Sequence, residues 1–165
     1  MKATPGMISV AMFVAVTSSG LTFAADLPKE GNYNFYACIS GVANEIAFSK
    51  DHRVMSIEQW GSTLSIPPGG MLDKGVFHCL GLRTVFAGKD MYSHYCELVF
   101  AGGDKILATF SPGPDGTSIR DTVAGTGKYE GMELSGKAMP LGPYPVVKPG
   151  SFQNCNHQTG TYKLK

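Results

Sequence analysis

MYSHYCELVFAGGDKILATF, residues 91–110, is two apolar-patterned runs joined by a glycine turn. In an extended chain successive side chains alternate sides. Tyr92, His94, Cys96, Leu98 and Phe100 therefore share one face, and Met91, Ser93, Tyr95, Glu97 and Val99 share the other. The first face is expected to meet a core. Gly102-Gly103-Asp104 has hairpin chemistry, because glycine takes positive φ without a side-chain clash. Lys105–Phe110 is then the returning strand.

The same grammar extends in both directions. Tyr33–Val42 (YNFYACISGV), Val54–Trp60 (VMSIEQW), Val76–Leu82 (VFHCLGL), Thr117–Ala124 (TSIRDTVA), Tyr129–Ala138 and Asn156–Leu164 all read as strands. Between them lie the charged turn Lys50–Arg53, a loop over Ser65–Asp73 with Pro67, Pro68, Gly69 and Gly70, and the proline-rich turn Ser111–Gly116. That makes about eight short segments, each bounded by turn residues. Ala43–Phe48 is the only helix-like stretch, and it is too short to stand alone. The expected fold is all-β: a single eight-stranded antiparallel up-and-down β-barrel, whose closure removes exposed edges. A β-sandwich is the alternative.

The chain has 165 residues, 14 Lys plus Arg, 13 Asp plus Glu and a formal net charge of +1. Such a balance sets up no long-range field, so no nucleic-acid partner is expected. Charged residues make up only 16%, while 21 Gly and 10 Pro are spread along the chain and favour short strands over long helices. At the N-terminus Lys2 precedes an apolar run, Met7–Val16, then a polar break and the small residues Thr22, Ala24 and Ala25. That order is the order of a secretory signal. The run is about ten residues, whereas an anchor spanning hydrocarbon needs roughly 20. Residues 1–24 are therefore expected to be a cleavable signal peptide, and 25–165 one secreted or periplasmic domain without a membrane span.

All four cysteines, Cys38, Cys79, Cys96 and Cys155, fall in that domain. In an oxidising compartment an even number points to disulfides, of which three connectivities are open. Cys79 with Cys96 is favoured because both sit on neighbouring candidate strands. Cys38 with Cys155 would join the first strand to the last, and they become neighbours only if the sheet closes. Buried free thiols are the other reading.

Gly125-Thr126-Gly127-Lys128-Tyr129-Glu130-Gly131 is the most distinctive local motif. It is no phosphate-binding loop, which would need Gly at Thr122 and Ser or Thr at Tyr129. Gly125 and Gly127 suit a tight turn into a strand, and Gly131 a bulge. Here the chain resembles the allene oxide cyclase and dirigent superfamily of eight-stranded barrels, especially its small exported bacterial members. The likeness extends from about His78 to Gly136, including a Cys followed by a Gly-Asp hairpin (Cys96, Gly103-Asp104), and departs where Leu134 replaces a usual glycine. It implies a cofactor-free cyclase or isomerase acting on a hydrophobic substrate, and a homo-oligomer. Cys38–Glu45 (CISGVANE) does not match the cyclase's acid-bearing strand, so no catalytic residue carries over.

A small barrel can enclose one small ligand. The residues expected to bind it are His78, Tyr92, His94 and Trp60, the single tryptophan, which reads either as a barrel plug or as a shelf. His94, Tyr92 and Glu97 are the candidates for moving protons, although His94 also reads as a satisfied core histidine. His94-x-Cys96 and Cys155-x-His157 have metal-ligand spacing, but oxidised cysteines offer no thiolate, so neither metal nor cofactor is expected. No Gly-x-Ser-x-Gly elbow is present. The expectation is a barrel that binds a small apolar molecule. The alternatives are a cyclase or isomerase using the same cavity, and a filled barrel whose outer face or Ile66–Asp73 loop meets a partner.

Overall fold

A computed structural model describes residues 28–165. The expected signal segment, residues 1–24, lies outside the described residues. Eight strands follow in order: β1 (Glu30–Ser49), β2 (His52–Ser65), β3 (Val76–Phe86), β4 (Lys89–Val99), β5 (Lys105–Pro112), β6 (Ser118–Gly125), β7 (Glu133–Pro140) and β8 (Ser151–Lys163). Each pairs antiparallel with the next, and β8 pairs back onto β1, so the sheet closes into a barrel. Closure rules out the two-layer sandwich.

Both favoured disulfides are present. Cys38 and Cys155 are direct cross-strand partners in the β1–β8 ladder, with Cα atoms 4.1 Å apart. Cys79 and Cys96 are partners between β3 and β4, 4.0 Å apart. Cys38 is on the exposed face of β1, while the second bridge is buried inside the barrel.

Two segments depart from expectation. Ala43–Phe48 is no helix but the continuation of β1, whose residues pair with Ile57 through Arg53 of β2. Ala and Glu favour a helix locally, but a partner strand already in register overrides that preference. Tyr129 does not open a strand either. Gly127–Tyr129 is a short 3-10 turn and β7 begins only at Glu133. Gly127 sits at φ 54° and Gly131 at φ 66°, the left-handed conformations that glycine tolerates. The Gly102-Gly103 hairpin behaves as expected, with φ 92° and 88°.

One end of the barrel is filled. Tyr129, 1% exposed, packs on Phe100 with ring centroids 4.9 Å apart, and its hydroxyl donates to the Met71 carbonyl at 3.3 Å. The β2–β3 loop folds inward rather than out, burying Met71 and Leu72. Thr63 Oγ1 donates to the Leu72 carbonyl at 2.6 Å, and Asp73 accepts from the backbone N–H groups of Ser65 and Gly69 at 2.9 and 2.8 Å. Met71 and Leu72 thus plug this end, while Ile66, Pro67, Pro68 and Gly69 of the same loop stay exposed.

Candidate functional site

The opposite end, bounded by the β1–β2, β3–β4, β5–β6 and β7–β8 connections, is hollow. A cavity of about 830 Å³ opens there. Its apolar wall comes from Phe35, Ile39, Met55, Ile57, Phe110 and Phe152, and its polar groups from Gln59, His94, Arg120, Asn154, Asn156 and Gln158. All follow from alternation along strands whose phase is fixed by the inward Cys79–Cys96 bridge and its neighbours.

Four glycines make room for the large inward side chains. A Cβ on Gly81 would lie 2.0 Å from His94 Cδ2, directly across the β3–β4 ladder. Likewise Gly61 leaves room for the Phe77 ring, and Gly136 and Gly160 for the Tyr33 hydroxyl.

Of the residues expected from sequence, Tyr92 and His94 line the cavity. Their rings are 5.2 Å apart, and the Tyr92 hydroxyl is hydrogen-bonded to Ser118 Oγ. His94 Nε2 is buried without a hydrogen-bond partner among the described residues. Burial, and secondarily the nearby Arg83 cation, lower its pKa, so the imidazole is neutral at pH 7. At the rim, Arg83 Nε donates to Asp90 Oδ1 at 2.9 Å, a pair that holds Asp90 below the usual carboxylate range.

The other three candidates face outward; for Trp60 and His78 this corrects the interior placement that ligand binding requires, while Glu97 lies on the outer face that alternation gives it. Trp60 is 46% exposed on the outside of β2, because Gly61 and Gln59 take the inward positions beside it. His78, between the inward Phe77 and Cys79, meets Glu58 Oε1 at 2.9 Å on the outer surface. Glu97, between Cys96 and Leu98, accepts from Lys105 Nζ at 2.8 Å, also outside. The four cysteines are all oxidised, so the His-x-Cys and Cys-x-His spacings carry no thiolate.

Arg120 was not singled out by sequence. It is 0% exposed, on the inner face of β6 at the cavity floor. In TSIRDTVA the apolar Ile119 and Val123 alternate with Arg120, so hydropathy alone turns this strand inside out. Ile119 and Val123 are in fact 40% and 53% exposed. Nor does the run Asn154, Asn156, Gln158 of β8 announce itself as interior.

No family model, curated protein or solved structure matches the chain.

Proposed function

We propose that this chain is an exported small β-barrel that binds one small apolar molecule in its open half. The observation that carries this reading is the cavity itself. Its 830 Å³ lies within the roughly 300–1,000 Å³ of small-molecule sites, and its wall is largely apolar with a few convergent polar groups. A filled barrel, the structural alternative, would have side chains where this volume lies. Export is supported by the two disulfides, which persist in oxidising compartments. Among the described residues no helix is long and apolar enough to cross a membrane. The outer wall carries the Glu58–His78 and Glu97–Lys105 pairs, which suit water rather than a lipid-facing band. The likeness to allene oxide cyclase and dirigent barrels belongs to the same reading.

One observation favours a second reading, cofactor-free isomerisation. His94 lines the cavity beside Tyr92 with its buried Nε2 unpartnered among the described residues, so a small turn of the neutral imidazole toward the cavity would let the pair accept and return a proton on a bound substrate. The binding reading is tested by titrating an apolar fluorescent probe into the purified protein. Ile57→Trp, which narrows the cavity, should weaken binding, and Leu80→Trp, on the exposed outer face, should leave it intact. Equal binding by both variants would place the probe elsewhere and overturn the proposal.

A further inference from the structure

Among the described residues the guanidinium of Arg120 is the one strong charge at the cavity floor. Its Cζ lies 5.6 Å from the Tyr33 ring centroid, 5.5 Å from Phe35 and 5.7 Å from Phe110, so three aromatic rings surround it. Its hydrogen bonding is poor by comparison. Nη1 reaches Gln158 Oε1 at a long 3.4 Å, while Nε and Nη2 are buried with no partner among the described residues. Burial lowers the Arg120 pKa and a hydrogen-bond contact with the Tyr33 hydroxyl partly opposes that, but the contact falls outside ordinary hydrogen-bond geometry and leaves Nε and Nη2 unsatisfied. The neighbouring Asp121 points to the outer face, and no carboxylate pairs with Arg120 among the described residues. The contrast with Arg83 is direct: in the same cavity, that guanidinium is answered by Asp90.

A buried cation with neither ion pair nor full hydrogen bonding is costly unless something offsets it. The aromatic faces offset part of the charge but cannot use the N–H groups. A carboxylate can do both, since its two oxygens match the guanidinium fork.

We propose that the cavity takes an apolar monocarboxylate, its head on Arg120 and its hydrocarbon body running toward the mouth past Phe110, Ile57 and Phe152. This rests on the binding function proposed above and names the ligand class. Gln158 is the gate to the fork. Its Nε2 donates to Asn156 Oδ1 at 2.9 Å, and swivelling the amide about that bond moves Oε1 away from Nη1 and gives up the long contact. Asn156, two residues along β8 from Gln158 and also on the cavity wall, remains to bond the outer carboxylate oxygen.

The test is calorimetric titration of the whole folded protein at pH 8 with decanoate and with decan-1-ol, which share a chain and differ in the head. Decanoate should bind about tenfold or more tightly, the range of a hydrogen-bonded charge over a neutral group. Arg120→Met, which keeps length and apolar bulk, should erase that preference while still binding decanol. It should also melt no lower than wild type, because a buried unpaired charge has been removed. A merely structural arginine would instead lower the melting temperature and leave head-group preference alone. Arg120→Lys, which keeps the charge without the planar fork, should retain only part of the preference and serves where the methionine variant does not fold. Equal affinity of wild type for the two probes would overturn the carboxylate assignment while leaving the binding reading standing. Binding of neither would overturn both. A decanoate preference surviving in Arg120→Met would overturn the role of Arg120.

Discussion

Replacing Cys38 and Cys155 together by alanine removes the one covalent link across the β1–β8 seam. The two residues are 117 apart in sequence, the longest loop either bridge closes. In the chain-entropy treatment, a loop of that length restricts the unfolded state by about 5 kcal/mol at 25 °C, against about 3 kcal/mol for the 17-residue separation of Cys79 and Cys96. Cys38 is exposed, so little packing is lost with its sulfur. The loss therefore comes mainly through the unfolded chain. It is a large share of the roughly 5–15 kcal/mol that holds a domain together. With a urea slope of about 2 kcal/mol/M, the unfolding midpoint should drop by about 2 M or more. The assay is equilibrium urea unfolding followed by far-ultraviolet circular dichroism, comparing the variant with the oxidised wild type. A midpoint shift below about 0.5 M at unchanged slope would refute the reasoning, since the first and last strands would then not be cross-linked in the folded protein.

Two further predictions concern His94. Gly81→Ala places a Cβ against the imidazole and 2.8 Å from the Ser93 carbonyl oxygen, and should cost about 1–3 kcal/mol; in a double-mutant cycle by thermal unfolding, adding His94→Ala should recover the imidazole's share of that loss and leave the share due to the Ser93 carbonyl. Because burial lowers the His94 pKa, the unfolded chain takes up a proton below its ordinary value of 6.5 while the folded chain does not. Stability should therefore fall as pH drops from 6.5 toward the depressed folded value, and urea midpoints of His94→Phe should lack that share of the decline; parallel pH profiles would contradict it.

The barrel was legible because its signals are local and repeated. In MYSHYCELVF, alternation put Tyr92, His94, Cys96, Leu98 and Phe100 on the inner face; the Cys79–Cys96 bridge joins strands that the turn pattern makes neighbours, while Cys38–Cys155 joins the first and last strands, which only closure brings together. Inner and outer were harder to tell where neither face is plainly apolar. Trp60 and His78 looked like interior groups by residue type. Their orientation is set by what flanks them: Gly61 yields space to Phe77, and Cys79 is drawn inward by its bridge. The β6 strand misleads most, since its apolar residues face water and its arginine is buried. Nothing within those eight residues says so, because the phase is imposed by pairing with β5, where Phe110 lies opposite Arg120. Likewise GTGKYEG reads as a strand entrance by its glycines, yet Tyr129 turns in to close the barrel end, a choice made by Phe100 and Met71 far away in sequence.

The most direct test is a methyl-resolved nuclear magnetic resonance titration of the protein with a small apolar probe. Shifts and probe-to-methyl Overhauser contacts should fall on Ile39, Met55 and Ile57 inside the open half, leaving Leu80, Leu82 and Val123 on the outer wall unchanged. Contacts confined to those outer methyls, or no contacts at saturating probe, would contradict a hollow barrel built to hold a guest.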